Sequence, residues 1–333
     1  MQAIYIKKFG KPETAFEFRD ITPRSPQPHE IAIRTEASGI NFADVVARLG
    51  NYRDCPPLPA VVGYEAVGTI AEVGSAVRGF EVGDRVLVFT RFGGYSQWIV
   101  QDSTATVKIG DMDAGKALAL ATQYSTAFFG ACCLTNVLPN DKVLIHSGAG
   151  GVGTALIQLC KWKGAKIYST CGSDAKMEYL RKQGVDYPVN YVKEDFSKAI
   201  SEKMDIIFDA VGGENFSKSY KMLNYGGRLV GYGAASMTDT TNFLSKGKAI
   251  LNFGIYHPGM LMMECKSILG INMLRIADHR PDILQYCLNE LVKLYNDNII
   301  SPHVGKMYPV KDIYTAHSDL ENRKTTGKIG LIW

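Results

Sequence analysis

The chain has 333 residues, 46 % of them apolar and 21 % charged, a balance that excludes a disordered or fibrous protein. Its 37 basic and 33 acidic side chains leave a net charge of +4, too small to point to a nucleic-acid or membrane-surface partner. The length suggests two domains, because single hydrophobic cores stop growing near about 250–300 residues.

The N-terminal segment has no apolar core of the signal-peptide kind, and no apolar run reaches the roughly 18–20 residues that span a bilayer. Seven scattered cysteines show neither CxxC nor metal spacing, so free thiols in a reducing compartment and a cytoplasmic location are expected.

The first 110 residues are dense in glycine, proline and β-branched residues. Strands are expected at 3–6, 16–20, 30–37, 67–73, 85–89, 96–100 and 106–109, separated by glycine and proline turn signals. This reads as a compact, barrel-like β domain. From about residue 114 the pattern changes. Helical spacing runs over 113–134, and strands and helices then alternate: strand 142–146, helix 152–163, strand 166–170, helix 174–183, strand 205–210, helix 214–223 and strand 228–232. The strands are apolar throughout, as strands covered on both faces should be, and predict a doubly wound parallel sheet. A helix at 282–296, a Pro-containing connection, a helix at 310–321 and a strand at 328–333 close the chain. This tail is too small to be a domain alone and is expected to return to the first one.

Within this order Gly148-x-Gly150-x-x-Gly153 stands between an apolar strand and an amphipathic helix, the context a dinucleotide fingerprint requires. Gly148 permits the tight turn, Gly150 lets backbone approach a pyrophosphate, and Gly153 lets the helix pack on the strand. The helix N-terminus offers free N–H groups and a positive dipole end to the phosphates. An NAD-binding unit carries an acid near the end of its second strand for the ribose 2′-hydroxyl. That strand carries none here. Asp174, 21 positions past Gly153, is the rival ribose ligand, although Ser173-Asp174 also reads as the cap and first turn of the next helix. Lys176 is placed to meet a 2′-phosphate, which favours NADPH over NADH.

Taken in order, Ser38, Asn41 and Asp44, Gly63, Glu65 and Gly68, Val73-Gly74, Gly83-Asp84, Thr126-Ala127, the 148–153 turn, Asp209, Val211-Gly212, Gly227 and Gly327-Lys328 form a specific set. Through them the chain resembles the medium-chain dehydrogenase/reductase superfamily on its zinc-free quinone oxidoreductase (zeta-crystallin-like) branch. Its tail, with Asn272, Pro302 and His303, is similar to the synaptic-vesicle membrane protein homologue type.

The resemblance implies a GroES-like domain (1–121, completed by 272–333) and a Rossmann NADPH domain (122–271), with the active site in the cleft between them and commonly a homodimer. It implies a 2′-phosphate pocket of Gly172, Lys176, Tyr191 and Arg323, pyrophosphate contacts at Gly150, Gly151 and Val152, a nicotinamide contact at Thr126, and further contacts at Gly233 and Asn272.

Zinc-dependent cousins place a cysteine where Asn41 stands and a histidine where Tyr64 stands, and neither Asn nor Tyr is a good zinc ligand. Without a Lewis acid to stabilise an alkoxide, reduction of an already electrophilic acceptor is the expected chemistry. Hydride transfer, or single-electron transfer, from NADPH to quinone-like acceptors follows. Asn41, Asp44 and Tyr52 are the candidate catalytic residues: Asn41 as amide donor, Asp44 orienting it, Tyr52 as proton donor. Capping roles for Asn41 and Asp44 and simple packing for Tyr52 are the alternatives. Tyr64 and Tyr124 either line the pocket or pack. The Met-rich segment 257–265 either caps an acceptor site, lies at a dimer interface or packs in the core. The rival functions are an NADPH-dependent alkenal or enone reductase and a non-catalytic NADPH-binding protein.

Overall fold

The computed structural model describes residues 1–235 and 251–333. The chain divides into two compact units, one joining Met1–Ser125 to Met273–Trp333, the other Thr126–Asn272.

The first unit is built on an eleven-residue strand, Glu30–Ile40. Along one edge it pairs with Glu65–Val73. Its other edge serves two partners in succession, Trp98–Asp102 opposite residues 30–34 and the C-terminal strand Lys328–Ile332 opposite residues 37–40. Val304–Pro309, Arg85–Phe89 and Thr106–Lys108 complete a seven-stranded sheet, and Phe16–Asp20, Gln2–Ile6 and Ala60–Val61 form a second of three strands. Ile31, Ile33, Val86 and Val88 fill one core, and Ile4, Ile6, Ile40, Ile313 and Leu331 another. The register sets Ile329 opposite Ile40 and Ala66 opposite Ser38. Lys328 and Glu65, each one residue further on, are thereby carried to the end of strand Glu30–Ile40, beside Asn41.

The second unit is a six-stranded parallel sheet in the order Tyr187–Asn190, Lys166–Cys171, Lys142–Ile145, Met204–Asp209, Leu223–Gly231, Ser267–Gly270. In chain order that is 3-2-1-4-5-6, the Rossmann arrangement, with its switch point between the first and fourth strands. The glycine turn follows the first of these strands.

Several elements differ from the expectations. The helix Phe42–Arg48 was foreseen only through the capping alternative for Asn41 and Asp44, because seven residues, five of them apolar, are under two turns and show no period. The strand Tyr187–Asn190 contains Pro188 at its centre and is an edge strand, where the missing N–H is tolerated. Val304–Pro309 is a strand where a connection was expected, paired in parallel with Lys328–Ile332. Helical spacing over 113–134 hides two stretches of wider, π-type bonding, Leu120–Tyr124 and Phe129–Leu134.

No uninterrupted apolar run of about 18–20 residues was expected, and Lys116, Thr122, Gln123, Ser125 and Thr126 do interrupt the one helix among the described residues whose mean hydropathy would suffice. That helix, Ala114–Leu134, has 21 residues, and 67 % of its most apolar stretch is buried in the protein, as in a core helix. The Met-rich helix Pro258–Glu264 is not core: Met260, Met262 and Met263 are exposed, and Leu261 alone of its apolar residues packs against the core cluster of its unit. All seven cysteines are free.

Candidate functional site

Two places stand out, a constellation of buried polar groups in the first unit and a glycine turn with an adjoining strand end in the second. In the first unit Asn41 caps the helix Phe42–Arg48, and Asp44 at its third position accepts the Asn41 backbone N–H at 2.8 Å, the acidic half of a capping box. The other Asp44 oxygen accepts from Gly63 N–H at 3.0 Å, so one carboxyl ties the helix start to the turn that carries Tyr64. Asp44 has no exposed surface. Burial, above all, raises its carboxyl to about 7, with the nearby Glu65 charge adding to the effect.

The Asn41 side chain turns the other way. Its amide nitrogen lies 2.8 and 2.9 Å from the two Glu65 oxygens, and its carbonyl accepts from the Lys328 ammonium at 3.2 Å. Lys328 also donates to the Ile40 carbonyl at 3.3 Å and forms a fully buried ion pair with Glu65. Thr122, in the first π-type stretch, donates to the second Glu65 oxygen. The network needs Gly39, because a Cβ there would stand 1.8 Å from Glu65 Oε1. Asn41 was read as a donor toward substrate or cofactor; its amide is instead directed into the protein, toward Glu65.

Zinc does not fit this donor set. An amide and a phenol stand at the two positions that would supply the cysteine and histidine, and the one carboxylate already holds an ammonium, which would repel a second cation.

Tyr64 is 4 % exposed and sits among Tyr52, Phe89 and Phe92, with ring centroids 6.2, 6.3 and 5.4 Å away. Its hydroxyl is buried, with the Tyr52 hydroxyl beside it and no hydrogen bond of good geometry among the described residues. Burial pushes the Tyr64 phenol far above its ordinary value and raises that of the less buried Tyr52, so both keep their protons at neutral pH. Tyr124 is buried in its helix.

In the second unit Gly148 and Gly153 are demanded by packing. A Cβ on Gly148 would lie 1.9 Å from Ser169 Oγ, and one on Gly153 would lie 2.5 Å from the Ser147 carbonyl. Gly150 differs: a Cβ there meets only Ser147 O at 3.3 Å. Gly150 is also the N-cap of the helix Gly151–Trp162 and offers no side chain to its first turn. The free N–H groups and positive end of a twelve-residue helix thus face a bare backbone approach.

At the end of the second strand, the Tyr191 hydroxyl lies 2.6 Å from where a Cβ on Gly172 would be. Ser173 caps the helix Asp174–Lys182 by accepting from Lys176 N–H at 3.3 Å. Asp174 is the first helical residue, and Asn190 and Lys193 hydrogen-bond its two oxygens. Gly233 packs on Ala210, with a Cβ placed 2.8 Å from that carbonyl. Thr126 and Asn272 are the first and last residues of this unit, and Arg323 belongs to the first unit.

Sequence reasoning missed Glu65 and Lys328 as a pair, and Thr122, Asn190 and Lys193. The only signal was a charged residue at the start of each of two apolar strands, Glu65–Val73 and Lys328–Ile332.

The chain matches two family models, an alcohol dehydrogenase GroES-like domain over residues 27–143 and a zinc-binding dehydrogenase over residues 151–286. It is 31 % identical to the human synaptic vesicle membrane protein VAT-1 homolog over 331 residues, 97 % of this chain and 84 % of that protein. It is 27 % identical to rat quinone oxidoreductase, covering 99 % of this chain and 96 % of that one. The structure of Escherichia coli quinone oxidoreductase complexed with NADPH superposes with a TM-score of 0.87 at 28 % identity, covering all of both chains.

Proposed function

This chain belongs to the medium-chain dehydrogenase/reductase superfamily, and from that premise we propose that it is a zinc-independent oxidoreductase passing a hydride from NADPH to quinone-like acceptors. The observation that carries the reading is the Asn41–Glu65–Lys328 network. An acceptor that needs a metal to become electrophilic has no metal donor set here, whereas a quinone accepts hydride unaided.

The second unit fits a dinucleotide: Gly150 leaves the helix N-terminus open, Gly151 and Val152 would give backbone N–H groups to the pyrophosphate, and Gly172, Lys176 and Tyr191 would hold the 2′-phosphate. Thr126, Gly233 and Asn272 of the same unit would supply further contacts. When bound, NADPH supplies the hydride at its nicotinamide ring.

The chain's own groups do the rest. Lys328 and Glu65 hold Asn41, and Asp44 holds the Asn41 and Gly63 backbones, so the start of the helix Phe42–Arg48 and the turn before Tyr64 are fixed to each other without a ligand. Tyr64, whose hydroxyl is buried, packs edge-on against Tyr52 and holds that ring in place. Tyr52, partly exposed and protonated at neutral pH, is the proton donor to the reduced acceptor.

The test compares NADPH oxidation with 1,4-benzoquinone, 9,10-phenanthrenequinone and acrolein, with and without a chelator. Quinone turnover that the chelator leaves unchanged is expected. Turnover of acrolein with inert quinones replaces this reading by an enal reductase, and tight NADPH binding with no turnover replaces it by a binding protein.

A further inference from the structure

We infer that Lys193, acting through Asp174, decides which nicotinamide dinucleotide this chain holds. The inference rests on the reading of the Thr126–Asn272 unit as the dinucleotide site. Asp174 stands 21 positions past Gly153, at the carboxyl end of the second parallel strand, where an acid receives the ribose hydroxyls in NAD-binding units. To do so a carboxylate must present its oxygens as acceptors to a diol and keep its charge.

Both Asp174 oxygens are already engaged, and the ion pair with Lys193 offsets the charge of the carboxylate without protonating it. Asn190 Nδ2 donates to its Oδ1 at 3.0 Å and Lys193 Nζ to its Oδ2 at 2.6 Å. The Asn190 amide cannot rotate away: the residue is 4 % exposed, and its own carbonyl accepts from Val192 N–H at 3.1 Å. Lys193 offsets the charge that would repel a 2′-phosphate at this strand end. The two partners differ in kind. Asn190 fixes the orientation of the carboxylate, and Lys193, on an exposed side chain, sets its net charge. Lys193 is therefore a positioning and neutralising residue for the specificity site, not itself required to touch the ligand.

The test titrates NADPH and NADH separately into the full-length protein, read by fluorescence without acceptor. Wild type binds NADPH more tightly, and K193Q lowers the NADPH-to-NADH affinity ratio about tenfold, the scale of one partly screened charge interaction. D174N keeps the NADPH preference, and D174N/K193Q restores the ratio lost in K193Q. An unchanged ratio in K193Q overturns the inference. So does a double variant that stays as low as K193Q, which would make Lys193 a direct phosphate ligand. Tighter NADH binding by wild type overturns the cofactor reading itself and is distinct from both.

Discussion

The Lys328 ammonium and the Glu65 carboxylate face each other with no exposed surface on either side chain, although 263 positions separate them. Removing one partner of a buried pair leaves an uncompensated charge. K328M is expected to lower stability by about 3–5 kcal/mol. E65Q/K328M should recover part of that loss, since the buried charge is then gone. Urea unfolding midpoints at constant slope give the comparison, and a K328M protein as stable as wild type would show that the pair is not a buried charge pair in solution.

The three glycines of the turn should separate by what each serves. G148A and G153A force a buried hydroxyl or backbone to move and should cost about 1–3 kcal/mol in the ligand-free protein. G150A meets only one atom, at 3.3 Å, so its melting temperature should stay near wild type while NADPH affinity falls. Thermal melts and NADPH titration read the two effects. A large loss of stability in G150A contradicts the assignment of its open face to ligand.

The Tyr64 hydroxyl is buried with the Tyr52 hydroxyl beside it and no hydrogen bond of good geometry among the described residues. A buried hydroxyl left without a good hydrogen bond costs about 1–3 kcal/mol, so Y64F should melt higher than wild type. Y64F keeps the ring that packs on Tyr52, so quinone reduction should stay near wild type. A variant that is both more stable and equally active leaves Tyr64 with a packing role alone, and a slower one gives its hydroxyl a part in the reaction.

Asp44 and His317 tilt the pH profile in opposite directions. Burial holds the Asp44 carboxyl at about 7, above its unfolded value near 3.9, so the folded state keeps a proton that the unfolded state has lost. That contribution is complete at low pH and is lost as pH rises from about 4 to 7. Burial drives His317 down to about 3, from about 6.5 when unfolded, so its contribution is complete above pH 6.5 and is lost as pH falls toward 3. Between pH 4 and 6.5 the two slopes oppose each other. H317Q should therefore become less stable as pH rises across this range, and D44N more stable, each measured as a difference from wild type. Parallel profiles for the two variants would contradict both assignments. The groups acting electrostatically on Asp44 are Glu65 and Lys328, and Arg48 acts on His317, so none of these should be altered in the same experiment.

Much of the second unit was legible because its signals are local. Residues 142–163 form strand, turn and helix by their own period and glycine spacing, and the apolar strands that follow need cover on both faces. The Pro188 strand was not legible, since only its place at the sheet edge makes proline acceptable there. Asp174 was ambiguous for a related reason. Its helix-start position could be read from Ser173, but the partners that occupy its oxygens come from a strand end and the loop after it.

What the residues decide unaided is the type of chemistry: a backbone cradle for phosphates, and an amide and a phenol where metal donors would otherwise stand. The cradle belongs to a short glycine spacing, and the missing metal donors to the resemblance to zinc-dependent relatives, so no fold is needed to read them. Only the tertiary structure decides which way the groups face. Strand register carries Lys328 and Glu65 together and turns the Asn41 amide inward, and parallel pairing brings Asn190 and Lys193 to Asp174. A hydrogen bond depends on position to within a few tenths of an ångström, and for residues far apart in sequence that position is set by the packed sheets.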